Sequence, residues 1–99
     1  MENLFVYGTL RETSVQKEVI GRFVIGLKDR LEGYKESEIE IKGEKYPVLI
    51  PDKTNSIEGL ILSVSSGELE KIDEYETDVY KRIRVALESG RRAWVYVKS

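Results

Sequence analysis

Apolar residues along this chain recur mostly at every second position, in short blocks closed by glycine, proline or polar turns. That period is the signature of half-buried strands. Asn3 to Tyr7 is the first such block, rich in strand formers and ended by Gly8. A polar stretch from Thr13 to Val19 has weak helical character and stops at Gly21, predicting a short helix over about 13–19. Phe23, Ile25 and Leu27 alternate with smaller or polar neighbours and predict a second strand. Glu38 to Ile41 alternates again, with Gly43 as its turn. Tyr46 to Pro51 is short, apolar and proline-bounded, which fits an edge strand or an extended segment. Asp52 to Ser56 reads as a turn, and Ile57 to Val64 is the longest strand candidate.

Beyond it the period changes. Ser65 or Ser66 can cap a helix running over about 66–76, since either hydroxyl can accept from an otherwise unpaired N–H. Tyr80 to Leu87 and Arg92 to Val97 return to strand alternation, joined as a hairpin around Ser89-Gly90. Ile83, Val85 and Leu87 share one face of their strand, while Tyr80 and Arg82 point to a second layer or to solvent. Many strands with one main helix and one short helix, in no regular alternation, predict an α+β fold. Its sheet should be strongly curved or closed into a small barrel.

The main helix carries an unusual residue on its apolar stripe. With Leu69 at 0° and ~100° per residue, Ile72 falls near ~300°, Glu76 near ~340° and Asp73 near ~40°. Glu70, Lys71 and Glu74 take the opposite, solvated side. A carboxylate aimed at a core is costly unless it is hydrogen-bonded, neutralised or lining a cavity. Burial would also raise its pKa toward neutrality, as a general acid/base requires. Two readings stand open on pattern alone: Glu76 enters a cavity, or the helix frays before it and the side chain reaches water. Asp73 is a second polar wall or a plain surface residue.

Composition narrows the chemistry. The 99 residues suit one domain, with 16 basic and 18 acidic side chains and a net charge of −2. The balance gives no overall case for a nucleic-acid or anionic-membrane partner. Without cysteine or histidine, disulfides, thiolate zinc sites and histidine-based triads are excluded. Proton chemistry must then rest on Asp, Glu, Lys or Tyr. No metal-ligand spacing or phosphate-cradling glycine loop is present, so no metal and no cofactor is expected. No apolar run reaches membrane length, and the first residues lack a signal-peptide pattern, so a cytoplasmic protein is expected. Two Asn and one Gln among abundant Glu, Lys and Arg lean toward a thermophile-like composition. Oligomeric state cannot be read from such a pattern.

Phe5-Val6-Tyr7-Gly8-Thr9-Leu10-Arg11, a strand ending in Tyr-Gly-Thr-Leu-Arg, resembles the signature of the γ-glutamylcyclotransferase-like (AIG2-like) family. Tyr46-Pro47-Val48-Leu49-Ile50-Pro51 is similar to that family's tyrosine-proline segment, and Gly59 matches its glycine before the helix. Ile72-Asp73-Glu74-Tyr75-Glu76 and Tyr80-Lys81-Arg82 resemble its helix end and the Tyr-x-Arg that follows. The pieces keep the family's order and span essentially the whole chain, residues 1–99, as a single domain of that type. The resemblance implies a mixed β-barrel with a cavity beside the first strand-to-loop turn, and Glu76 as the catalytic carboxylate.

It further implies a small-molecule γ-glutamyl substrate. The substrate's α-amino group attacks its own γ-carbonyl, releasing 5-oxoproline and an amine or amino acid. Ring closure supplies proximity, leaving the protein to fold the substrate, manage protons and stabilise an oxyanion. Tyr7, Gly8, Thr9 and Leu10 would present backbone N–H groups to the substrate, with Gly8 permitting close approach in an unusual turn or serving only as an ordinary one. Arg11 is a carboxylate partner or a solvent-facing side chain. Tyr46 and Tyr80 are pocket lining or packing residues, and Arg82 is structural or a carboxylate partner. After Gly59 the family usually carries Glu-Leu-Tyr, where this chain has Leu60-Ile61-Leu62.

Two other readings are consistent with the residues. One is the same fold acting as a non-catalytic small-molecule or protein binding module. The other is a nucleic-acid surface on the last hairpin, where six cations face only Glu88 between Tyr80 and Ser99. There Trp94 and Tyr96 alternate with Ala93, Val95 and Val97, the pattern of a strand packed on both sides, so no nucleic-acid partner is expected.

Overall fold

Strand β1 (Glu2–Val6) is the centre of a five-stranded sheet because its two faces are both apolar. Leu4 and Val6 point to one side and Phe5 to the other, all buried. The computed structural model describes residues 1–99 and shows the chain continuing through α1 (Thr13–Ile20), β2 (Leu27–Ile41), β3 (Glu44–Val64), α2 (Ser66–Glu76), β4 (Tyr80–Ala86) and β5 (Arg92–Lys98). Single turns of 3-10 helix occupy Thr9–Arg11 and Thr77–Val79. The strand order is β2-β3-β1-β5-β4, antiparallel except for β1 against β5, so the sheet is mixed.

The sheet curls into a half-barrel whose far edges meet. Glu88 N–H, after β4, donates to the Arg30 carbonyl of β2 (2.9 Å). The Tyr80 hydroxyl donates to the Pro47 carbonyl of β3 (2.6 Å). Inside the curl lie Phe5, Leu31, Leu49, Ile61 and Val95, with Ile83, Val85 and Leu87 of the β4 side. The outer face of β1 and β3 is covered by the helices, through Leu4, Val6, Leu62, Val64, Leu69 and Ile72. The α+β class and curved sheet expected from the alternation are observed, and Tyr80 and Arg82 do face the helical layer. No helix is long and apolar enough to cross a membrane.

Helix α2 starts where a cap allows it. Ser65 accepts from Glu68 N–H (3.1 Å) while Glu68 accepts from Ser65 N–H (2.9 Å), a reciprocal capping box. Glu68 also takes two bonds from Arg22 (2.7 and 2.8 Å), tying the helix start to the segment after α1. Those bonds hold the Glu68 carboxyl down at about 2.

Three sequence expectations are corrected. Phe23 to Leu27 is not a strand: β2 begins only at Leu27, and Phe23 and Ile25 are exposed. The buried residue is Val24, the opposite phase to the alternation, and its N–H donates to the side-chain oxygen of Gln16 (2.7 Å) instead of to a neighbouring strand. Glu38–Ile41 and Tyr46–Pro51 are not separate short elements. They are the far ends of β2 and β3, joined at Lys42 and Gly43, both at positive φ (51° and 82°) as a tight hairpin turn demands. Asp52 to Ser56 does not separate two strands. It lies within β3 at a bulge, because Glu32 pairs with Ser56 and Tyr34 with Pro51, leaving residues 52–55 opposite Gly33 alone. Asp52 accepts there from Thr54 N–H (2.9 Å), so the turn chemistry is real but local.

Candidate active site

The last turn of α2 and the end of β1 converge because both pack on the same apolar layer. Between them is a cavity of about 430 Å3, with Glu76 on one wall and the Tyr7–Leu10 turn on the other. Five of the six tyrosines line it: Tyr7, Tyr46, Tyr75, Tyr80 and Tyr96. The helix does not fray before Glu76, which is its final residue and half-buried.

Every tyrosine hydroxyl in that wall already has a partner. Tyr7 donates to the Tyr96 carbonyl (2.8 Å), Tyr80 to the Pro47 carbonyl (2.6 Å) and Tyr96 to Asp73 (2.6 Å). Tyr46 donates to Glu44 (2.8 Å), and Tyr75 shares a bond with the Thr9 hydroxyl (3.3 Å). Burial raises all three of the deeper phenols, Tyr80 to about 12 and Tyr7 and Tyr96 further, so they remain donors. Glu76 is different. No side chain or N–H bonds to it, and burial alone pushes its carboxyl up to about 7. It is the unspent titrating group of the cavity, poised to take and return a proton near neutral pH.

The facing turn supplies donors. Arg11 N–H bonds to the Gly8 carbonyl (3.1 Å) and Glu12 N–H to the Thr9 carbonyl (2.9 Å). The N–H groups of Thr9 and Leu10, at the head of this turn, therefore have no partner within it. Gly8 adopts φ −118° and ψ −142°, a backbone that is neither helical nor extended. A Cβ at Gly8 would meet nothing within 4 Å. The glycine that the fold demands is Gly59, where a Cβ would press on the Val6 carbonyl and come within 2.7 Å of the Phe5 ring.

The structure thus brings Glu76, Tyr7, Gly8, Thr9, Leu10, Tyr46 and Tyr80 to one cavity, and leaves Arg11 out of it. Arg11 folds back on the Gly8 carbonyl through its Nε (3.1 Å), on the side of a neighbouring groove. Arg82 grips Asp73 with two bonds (2.9 and 3.0 Å) and stacks on Trp94 at 4.3 Å, so both residues brace the helix end. Tyr75, Thr77 and Tyr96 line the cavity without having been expected there. Tyr96 carried a signal, because it shares the helix-facing side of β5 with Trp94. Thr77 carried none: its φ of 64° belongs to no motif. No three acidic, histidine or cysteine side chains come together that could hold a metal ion.

A family model described as gamma-glutamyl cyclotransferase, AIG2-like, matches residues 4–99. The chain is similar to AIG2-like protein A of Arabidopsis thaliana, at 30% identity over 88 residues, 88% of this chain and 52% of that protein. It spans about half the length of the curated relatives it matches. A solution structure of an Arabidopsis thaliana protein superposes with a TM-score of 0.83 at 25% identity, covering 98% of this chain and 68% of that one. A structure named gamma-glutamyl cyclotransferase superposes with a TM-score of 0.74 at 14% identity, covering 99% and 66%, a likeness of fold.

Proposed function

The chain belongs to the gamma-glutamyl cyclotransferase, AIG2-like family, and from that membership we propose that it cyclises a γ-glutamyl amide or γ-glutamylamine. The products are 5-oxoproline and a free amine or amino acid. The observation that carries the reading is Glu76: a carboxyl without a protein partner, raised to about 7, in a cavity whose opposite wall is the Thr9–Arg11 turn, where the first N–H groups have no partner within the turn.

In this mechanism the glutamyl half lies in the cavity with its α-ammonium against Glu76. The carboxylate takes one proton from the ammonium, and the freed amine attacks the γ-carbonyl carbon to close a five-membered ring. The carbonyl oxygen becomes an oxyanion, which the N–H groups at the head of the Thr9–Arg11 turn stabilise. The oxyanion then collapses and the bond from the γ-carbon to the leaving nitrogen breaks as Glu76 gives that nitrogen its proton; Glu76, ionised again, takes the second proton from the ring nitrogen and passes it to the freed amine, which leaves as an ammonium. Proton count and charge are restored in each cycle. With a value near 7, Glu76 is competent both as base and as acid at neutral pH. The tyrosines exclude water and shape the cavity.

The test is 5-oxoproline release from a panel of γ-glutamyl compounds by wild type and Glu76→Gln. Release that is lost in the mutant, with a rate limb near pH 7 in wild type, supports the reading. Equal release by both proteins would remove Glu76 from the mechanism. No release from any compound by the folded protein would favour a binding module on the same fold.

A further inference from the structure

The Glu76 cavity continues past Gly8. Tyr7, Gly8, Thr9 and Pro47 line it on one side and, on the other, line an open groove of about 1090 Å3 that reaches the start of β2. The two spaces differ in chemistry: tyrosines and apolar side chains wall the cavity, whereas charged residues dominate the groove. Much of that charge is already spent. Arg30 lies between Glu58 (2.8 Å) and Glu88 (3.6 Å), and Asp29 accepts from both the N–H and the hydroxyl of Ser89. Two cations, Arg11 and Lys28, and two acids, Glu12 and Glu36, line the groove without an ion-pair partner.

Arg11 is the one among these four that is held at the rim. Its Nε donates to the carbonyl of Gly8, the residue common to both spaces, at 3.1 Å. Its terminal NH2 groups make no bond within the protein, which leaves donors of the planar fork free for an incoming acceptor. We propose that the groove receives the leaving group, and that Arg11 selects leaving groups carrying a carboxylate next to the scissile nitrogen, those of amino acids and peptides. The proposal rests on the cyclotransferase reading above.

The geometry follows from connectivity. Once the glutamyl half is enclosed beside Glu76, the scissile bond lies at the cavity mouth and the leaving group extends past Gly8. In an α-amino acid the carboxylate is only two bonds from that nitrogen, so it stays at the level of the rim where Arg11 is anchored. A leaving group with its charge several bonds further out would pass Arg11 and meet the mixed charges of the groove floor. A neutral alkyl amine offers the free donors of Arg11 no acceptor.

The experiment compares three substrates of nearly equal shape: γ-glutamyl-alanine, its neutral alaninamide counterpart, and the γ-glutamyl derivative of 1,2-diaminopropane, which ends in an ammonium. The expected result for wild type at low salt is a kcat/KM about tenfold higher for the carboxylate than for the amide, with the cation slowest. The preference should shrink in 1 M salt. Arg11→Met should bring the carboxylate-to-amide ratio close to one, and Arg11→Lys should restore part of it. A wild-type ratio near one at low salt, or a preference for the ammonium compound, overturns the proposal while leaving the cyclotransferase reading intact. Release from none of the three overturns that reading and this proposal together. Should Arg11→Met fail to fold, the wild-type ratios and their salt dependence still decide.

Discussion

Asp73 and Glu76 lie one turn apart at the end of α2, yet Asp73 accepts two bonds from Arg82 and one from Tyr96 while Glu76 accepts none. Satisfying the first carboxylate fixes the helical turn that places the second beside the cavity. The half-buried, unpartnered carboxyl is a stability cost that the fold carries at the position where the proposed chemistry needs it.

That cost is measurable without any substrate. Glu76 is raised from 4.5 to about 7 by burial, so the folded state holds its proton more tightly than the unfolded state does. Stability contributed by the protonated form is complete below about pH 4.5 and is lost as pH rises through 7. Glu76→Gln carries no charge and escapes this loss. It should be more stable than wild type at pH 8, by about 2 kcal/mol after allowance for water at the cavity mouth, with the gain absent at pH 4. Urea unfolding of both proteins at the two pH values checks this, and a mutant no more stable at pH 8 would contradict the burial of Glu76.

The Asp73 brace should be cooperative. Arg82→Met keeps the aliphatic reach over Trp94 but leaves Asp73 with the Tyr96 hydroxyl alone, and should cost about 1–2 kcal/mol. Tyr96→Phe removes the other bond and should cost about 1 kcal/mol. The double mutant should lose less than the sum, because each change weakens the same carboxylate's support. Hydrogen exchange at Tyr75, Glu76 and Thr77 should speed up in both single mutants.

Much of this arrangement was legible in residue order, and its limits have physical causes. Strand β1, helix α2 and the β4–β5 hairpin were readable because their periods are clean: Ile83, Val85 and Leu87 go inside, and Arg82 and Tyr80 go to the helices. Glu76 was readable because a helix fixes angle by count. Phe23 to Leu27 misled because alternation alone does not say which phase is buried. Pro47 and Pro51 suggested a short separate segment, whereas both lie within the long β3, in the stretch that pairs with β2 alone. The cavity itself was not derivable from local pattern. Tyr7, Tyr46, Tyr80 and Tyr96 meet only through strand order and curl, which no local period encodes.

Two glycines separate fold from site. Gly59→Ala places a methyl against the Val6 carbonyl and the Phe5 ring, both fixed in the central strand, and should cost about 3 kcal/mol. Gly8→Ala meets no protein atom and should change stability by less than about 1 kcal/mol. Its methyl projects into open space where Gly8 borders both cavity and groove, so the proposed substrate's KM should rise several-fold. Thermal unfolding beside steady-state kinetics distinguishes the two, and a strongly destabilised Gly8→Ala would show that the turn needs glycine for its own sake.

Thr77 offers the last test, because its backbone is strained where Glu76 ends the helix. At φ 64° and ψ −168° it occupies a region that glycine tolerates and a β-branched residue does not. Neighbours hold it there: its N–H bonds to the Asp73 carbonyl, and Tyr80 N–H bonds to its own carbonyl. Replacing it with glycine removes the strain, of order 1–3 kcal/mol, and adds unfolded-chain entropy of roughly 0.4–1 kcal/mol against the fold. Thr77→Gly should therefore be more stable than wild type by about 1 kcal/mol. Thr77→Ala keeps a side chain at the same angles and should show no such gain. Denaturant midpoints for the two variants settle the matter, since a stabilised alanine variant would place the effect in the lost hydroxyl and methyl rather than in the backbone.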